Sequence, residues 1–334
     1  MAKRSKRARP SEGRSRRFQQ QKQTLKWQIV FSLLVMGALI GVMVFLRARM
    51  KTPTLADVQV TKPAQTPPSM TDEAYEERGF SVTYLDVGEG DAALVTCDGQ
   101  HMLIDGGLPE NSDRIYTVLK DREITHLEYI VCSHAHEDHA GGLSGALRAA
   151  SVGTAYVPPG EYTGRAYENF LEALDAQGKQ AVTVTAGERF SLGSAEVTIL
   201  APVDLALAEE IENNASVMLR IVYGNTSFLF TADAESAEEL SVLDTGDDIR
   251  STVLKAGHHG SFSSSTDVFL DAVSPAYCVI SCGEGNPYEH PHEVTLRRLN
   301  NRSITVYRTD LQGDITCVSD GETVTFSTER SVTP

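Results

Sequence analysis

Beyond residue 51 this 334-residue chain is short of positive charge. Thirteen of its 30 Lys and Arg residues fall in the first 51 positions against one acid, Glu12, a net of +12. The remainder carries 17 basic and 44 acidic residues, a net of −27, which returns −15 for the whole. No basic stripe appears there beyond Arg297-Arg298 and Arg302, and aromatics are only 7% with little clustering. A groove that tracks a phosphate backbone by charge and stacks bases is therefore not written in the composition. The five cysteines (Cys97, Cys132, Cys278, Cys282, Cys317) are an odd number, so at least one has no internal partner. Most lie in apolar strand-like runs, and Cys278 with Cys282 lacks the CxxC spacing of a zinc knuckle, so they read as small apolar filler rather than a disulfide framework. Only one long hydrophobic run occurs, which excludes a multi-span pore built from this chain alone.

That run, residues 28–46, is long enough to cross a bilayer core, and the basic tail at 1–27 precedes it. The excess of Lys and Arg before it puts the N-terminus in the cytoplasm and the remainder outside: a single-pass anchor in the cell membrane with an extracytoplasmic C-terminal domain. A cleavable signal peptide is the alternative, but Phe45-Leu46-Arg47-Ala48-Arg49 has no small-x-small cleavage pattern. The tail also has the composition of a nucleic-acid arm, although topology accounts for it. Residues 47–79, with Pro53, Pro63, Pro67 and Pro68, read as a flexible linker. Residues 80–328 are the globular domain.

Within it, short β-rich runs recur, among them Phe80 to Leu85, Ala92 to Thr96, Tyr129 to Cys132, Val217 to Tyr223, Phe228 to Phe230 and Val253 to Lys255. Tyr223-Gly224-Asn225-Thr226 reads as a hairpin turn. Helical spacing appears at Ala166 to Ala176 through Phe170, Leu171 and Leu174, and at Ala234 to Leu243 through Leu240 and Leu243. Periodicity alone yields a mixed α/β (α+β) domain.

The segment Ser133-His134-Ala135-His136-Glu137-Asp138-His139 comes directly after the apolar Tyr129-Ile130-Val131-Cys132. Three imidazoles and two carboxylates in six residues are metal-site chemistry. Side chains two apart share a face, so His134 and His136 address one point while Asp138 and His139 address a neighbouring one, which suits two adjacent ions of the zinc class. The pattern His-x-His-x-Asp-His resembles that of the metallo-β-lactamase superfamily. Leu85 to Ala92, Ile104-Asp105-Gly106-Gly107, Asn213-Asn214-Ala215-Ser216, Thr231-Ala232-Asp233-Ala234-Glu235, Lys255 to Ser261 and Asn286 to His292 are similar to motifs of its ComEC/Rec2-like competence branch.

The resemblance implies an αββα sandwich, here preceded by one transmembrane helix, and a dinuclear site at its edge. His134 and His136 would bind the first ion, Asp138 and His139 the second, and Asp233 would bridge them. One of His258 and His259 would supply the last ligand; because adjacent residues on extended backbone face opposite ways, the other is left for substrate. No His lies between His139 and Asp233, where other branches have a ligand, which leaves an open position on the first ion. Asp105 is expected to support the metal loop from behind and Asp91 to sit near the mouth, with an ordinary turn aspartate as the plain reading of either. Asn214, Ser216 and Lys255 are further candidates behind the ligands or against substrate. Three departures stand out: His136 replaces Asp, Ala232 and Glu289 each replace Gly, and Glu289 adds negative charge on the presumed substrate side.

The chemistry so implied is hydrolysis with two divalent cations, zinc first and manganese as the alternative. Asp138 or Asp233 orients the nucleophile, and the remaining histidine with His290 donates to developing charge. The resemblance points to a phosphodiesterase or nuclease, with DNA among the phosphoester substrates and a DNA-uptake channel as a candidate partner. The acidity argues against DNA. Hydrolysis of another ester (a choline or wall-polymer phosphoester, or a β-lactam amide) and a non-catalytic metal-binding accessory role are the alternatives.

Overall fold

The computed structural model describes residues 79–331. The expected anchor, tail and most of the linker lie outside that range; among the described residues no helix is long and apolar enough to cross a membrane.

Two mixed sheets face each other. Edge to edge, the eight strands of the first are Val324–Thr328, Ile315–Ser319, Phe80–Tyr84, Ala93–Cys97, Gln100–Ile104, His126–Val131, Ser151–Val157 and Ala181–Thr183. The seven of the second are Thr305–Arg308, Tyr277–Ile280, Val253–Lys255, Thr226–Phe230, Leu219–Tyr223, Ala195–Ile199 and Arg189–Leu192. In each sheet an antiparallel meander gives way to parallel strands, at Gln100–Ile104 with His126–Val131 in one and at Thr226–Phe230 with Val253–Lys255 in the other. Strand alternation sorts the side chains. Phe228 and Phe230 enter the apolar layer between the sheets with Phe80, Val82, Ile221 and Val253, while Leu229 between them packs outward under the helices. Helices Ser112–Asp121, Leu143–Ala149 and Arg165–Ala176 cover the first sheet through Ile115, Leu119, Leu143, Phe170 and Leu174. Helices Asp267–Val273 and Glu293–Asn301 cover the second through Leu270, Leu296 and Leu299. The result is the αββα sandwich.

The hairpin forms as the residues suggest, with Tyr223 paired to Thr226 and Gly224 at φ +58°. Helix Ser236–Thr245 departs from the expected apolar face. Leu240 is 51% exposed, and the buried face is Glu238, Glu239 and Val242. The Glu239 carboxylate accepts from the Ser265 and Thr266 amides and the Thr266 hydroxyl, and Glu238 accepts from the Val203 amide, so backbone donors replace the apolar contacts that the spacing implied.

The parallel strands position the chemistry because they all end at one rim. Asp105 comes after Gln100–Ile104, the His134 to His139 segment after His126–Val131, Asp233 after Thr226–Phe230, the His258-His259 pair after Val253–Lys255, and Ser281 after Tyr277–Ile280. Carboxyl ends of parallel strands are where open α/β sheets place their ligand crevices.

Candidate metal centre

His134 and His136 lie on the loop after the strand, and Asp138 and His139 on the first turn of the short helix Glu137–Ala140. The loop Gly88-Glu89-Gly90 presses on this turn. The Asp91 amide donates to the Asp138 carbonyl at 3.1 Å, and a Cβ on Gly90, whose φ is +142°, would meet that same carbonyl oxygen.

The carboxylate of Asp233 sits at the centre. One oxygen faces His139 Nε2 at 3.3 Å; the other faces His259 Nε2 at 3.5 Å, His258 Nε2 at 3.7 Å and His134 Nε2 at 3.8 Å. Asp138 Oδ2 lies 3.1 Å from His259 Nε2 and 3.5 Å from His139 Nε2, and His136 Nδ1 lies 3.1 Å from His134 Nε2. Asp138, His139, Asp233 and His259 bring ligand atoms within 4.8 Å of one another, the reach of one ion. His139 Nε2 and Asp233 Oδ1, both fully buried, have no hydrogen-bond partner although they face each other. A buried donor–acceptor set left unpaired in this way is costly unless a cation lies between, so the residues fit a divalent metal.

Behind the ligands a second ring of groups fixes each imidazole. His139 Nδ1 meets Asp105 Oδ2 at 3.0 Å, and Asp105 also accepts from the Ser133 amide and hydroxyl, both at 2.7 Å. His259 Nδ1 meets the Ser281 carbonyl at 3.1 Å and Asp91 Oδ1 at 3.3 Å. His258 Nδ1 meets Ser263 Oγ at 3.3 Å and Glu235 at 3.6 Å. In all three, Nδ1 is held and Nε2 is turned to Asp233, the tautomer a metal requires.

Charge divides along the same lines. Burial lowers the His134 and His258 pKa values, and both rings stay neutral. Burial also works against protonation of His139 and His259, but Asp233 with Asp138 and Asp105 around the first, and Asp233 with Asp91 around the second, outweigh it and raise both. Asp233 and Asp138, which burial alone would push up, are held below the usual carboxylate range by these imidazoles. Each carboxylate and imidazole here favours the charged form of its neighbour, a balance that a divalent cation would take over.

The His258-His259 backbone is not extended. Both residues are left-handed, at φ +48° and +51°, and both rings approach Asp233. His259 is buried and reaches Asp138 as well, whereas His258 is half-buried and lines the cleft above. Asp91 is not at the mouth. It is buried beneath His259 with Lys255 Nζ on Oδ2 at 2.7 Å; burial would raise its pKa, but Lys255 and then His259 bring it down to about 2. Lys255, buried and also bonded to the Ala256 carbonyl, supports the centre and does not face substrate. Asn214 and Ser216 are likewise buried supports: they accept the Glu235 and Asp233 amides. Glu289 is exposed at φ +61° and is not among the residues lining the cleft.

That cleft, of about 500 Å³, opens over the centre and is lined by Glu89, His136, Asp138, Asn213, Asp233, His258, His259, Tyr288 and His290 among others. His290 Nδ1 is 2.6 Å from Glu89 Oε1, which leaves Nε2 for a ligand. Sequence reasoning missed Glu89, Ser133, Asn213, Ser281, Tyr288, and Glu212, whose carboxylate stands 3.5 Å from His136 Nε2. Glu89 had a visible signal, a carboxylate between two glycines in the Leu85 to Ala92 motif, and Asn213 and Tyr288 stood in two further motifs of the resemblance without a role of their own.

Residues 85–284 match the model of the metallo-β-lactamase superfamily, and the chain belongs to that family. It is 30% identical over 264 residues to ComE operon protein 3 of Bacillus subtilis (strain 168), covering 74% of this chain and 34% of that protein. It is 32% identical to competence protein ComA of Neisseria gonorrhoeae, covering 72% and 32%. The chain thus spans about a third of the length of these curated relatives. Among solved structures, the metallo-β-lactamase fold protein YhfI from Bacillus subtilis aligns at a TM-score of 0.46 and 10% identity, over 74% of this chain and 100% of that one. By its family, the domain is a metal-dependent hydrolase fold of a superfamily that binds two divalent metals, homologous to competence proteins.

Proposed function

We propose that this chain is a membrane-anchored phosphodiester hydrolase of the ComEC/Rec2-like type, acting outside the cytoplasm with two divalent ions, zinc or manganese. The observation that carries the reading is the facing pair of unpartnered buried atoms, His139 Nε2 and Asp233 Oδ1, beneath a 500 Å³ cleft that Asp233 lines. His134, His136 and Asp233 would hold one ion and Asp138, His139, His259 and Asp233 the other. Bound there, the ions supply Lewis acidity and lower the pKa of the attacking water. Asp138, 24% exposed at its side chain and the ligand most open to the cleft after His136, accepts a hydrogen bond that orients that water. His290, clamped by Glu89, presents Nε2 to the phosphoester oxygen on which charge develops, and His258, its ring edge-on to His290 at 5.5 Å, lines the cleft beside it. With no histidine between His139 and Asp233, one ion would have fewer protein ligands, which would leave room for a substrate oxygen.

The anchor rests on residues 28–46 and the charge before them. A separate DNA-uptake channel is the partner that the ComEC/Rec2-like resemblance implies. Two measurements test the reading. The full chain in detergent, loaded with manganese or zinc, is expected to hydrolyse bis-p-nitrophenyl phosphate or linear DNA, and the His134→Ala, Asp138→Ala double variant to lose at least a hundredfold; equal rates for both would sink it. Protease added to spheroplasts should remove residues 80–328 and spare the tail.

A further inference from the structure

No Lys or Arg is among the residues lining the cleft, which presents the carboxylates of Glu89, Glu137, Asp138 and Asp233. Beyond the ions, a phosphoester must therefore be gripped by something other than positive charge. The side chain suited to it is Tyr288. It is 62% exposed, the most exposed large apolar residue among those described, and it lines the cleft. Its ring lies over His290 with centroids 5.6 Å apart and planes 23° from parallel, and His290 in turn meets His258 edge-on at 5.5 Å. Three rings thus step outward from Asp233, the last with one face backed and the other uncovered.

The step is rigid. Asn286 Oδ1 accepts from the amides of Tyr288 and His290 at 3.1 and 2.9 Å, while its Nδ2 donates to the Gly283 and His290 carbonyls at 2.9 and 2.6 Å. Glu89 holds the His290 ring and accepts from the Gly283 amide at 2.9 Å, so both ends of the loop are tied to one carboxylate. A large ring kept in water on a loop so constrained gains nothing for the fold. It is pre-organised to receive a planar group without further loss of side-chain freedom.

We propose that Tyr288 is a stacking platform that selects phosphodiesters carrying a planar ring, of the nucleobase kind, one short link from the scissile phosphate. This rests on the hydrolase reading above and deepens it. Stacking accepts any base, since each has a π-face, and it requires no basic groove, which matches the net charge of −27 carried beyond residue 51. Tyr288 is a specificity residue and touches no bond that breaks.

The test uses the full chain in detergent, manganese-loaded, with Tyr288→Ala and Tyr288→Phe. The substrates are thymidylyl-thymidine, the same diester with tetrahydrofuran in place of both nucleosides, and glycerophosphocholine. Calorimetric binding of thymidine 5′-monophosphate gives a readout that needs no turnover. The expected result is a kcat/KM for the dinucleotide roughly 10- to 100-fold above that for the base-free diester, lost in Tyr288→Ala and kept in Tyr288→Phe, with parallel loss of nucleotide binding. Unchanged base-free hydrolysis shows that Tyr288→Ala is folded; if it is not, Tyr288→Leu carries the same comparison. Equal rates on both diesters in the wild type, or a Tyr288→Ala loss confined to glycerophosphocholine, would overturn the stacking role while leaving the hydrolase standing. No turnover of any diester, with nucleotide binding still dependent on Tyr288, would overturn the hydrolase and leave the platform.

Discussion

Asp105 shows how much of the centre depends on residues that never touch a metal. Its carboxylate takes the Nδ1 proton of His139 and two donors from Ser133, so it sets both the tautomer of one ligand and the path of the loop that carries the others. Burial raises its own pKa, only partly offset by His139, so this carboxylate is the weakest acid around that ring. Asp105→Asn keeps the shape and removes the charge. It is expected to lower metal affinity by about 10- to 100-fold, read by competition with a chromophoric chelator, with little change in melting temperature. Unchanged affinity would mean that the ring is fixed by packing alone. Backbone strain accompanies two of the departures. Ala232 at φ +44° and Glu289 at φ +61° are left-handed, and both stand where the resemblance has Gly. Glu289 is exposed and sits on a backbone that suits glycine better, so Glu289→Gly is expected to stabilise the fold by about 0.5 to 1 kcal/mol in urea unfolding. Asp233 and the His258-His259 pair came through the family resemblance, whereas His134, His136, Asp138 and His139 were legible because their types and spacing are local. Tyr288 and Asn213 were not, since their roles arise only when loops after different strands meet over the cleft.

At the level of elements, buried strands with a continuous apolar run were readable to within a residue or two, as at Phe228-Leu229-Phe230. Val324–Thr328 and Arg189–Leu192 were not, because edge strands exposed on one side carry polar residues and little apolar pattern. Helix Ser236–Thr245 misled for another reason: its buried face is ionisable. Burial pushes the Glu238 pKa from 4.5 up to about 7, against the opposing hydrogen bonds from the Val203 and Asp204 amides, and its Oε2 has no partner. An acid whose folded pKa is raised stays protonated in the fold while the unfolded chain has already released its proton. Stability therefore falls as pH climbs from about 4.5 to about 7, by at most about 3 kcal/mol from this group. Glu238→Gln should remove that part of the slope. Urea unfolding at pH 5 and pH 8 checks it, and an identical slope in variant and wild type would show that the carboxyl is ionised throughout.

Across the whole molecule, the division of charge between the first 51 residues and the rest has a kinetic consequence. The sandwich was legible through its family resemblance; composition and periodicity alone gave mixed α and β, because four stacked layers depend on which strands pair, and pairing is non-local. The acidity, by contrast, needs no structure to read. A net charge of −27 after residue 51 repels a polyanion over a Debye length, roughly 30 Å at 0.01 M salt and 10 Å at 0.1 M, while two ions bound at the rim would attract it only at close range. Proteins that hold nucleic acid by a basic groove lose affinity steeply as salt rises, since they release condensed counterions. The opposite sign is expected here. With residues 1–51 removed, so that the basic tail cannot recruit substrate, kcat/KM for a single-stranded oligonucleotide of about 20 nucleotides should rise between ~10 and ~150 mM sodium chloride. The rate on a dinucleotide, with one phosphate to repel, should barely move. A steep fall for the longer strand would show that a cationic track exists on the folded domain and that long polyanions are its natural load; a rise confined to the longer strand would place its substrates among short or end-presented phosphoesters.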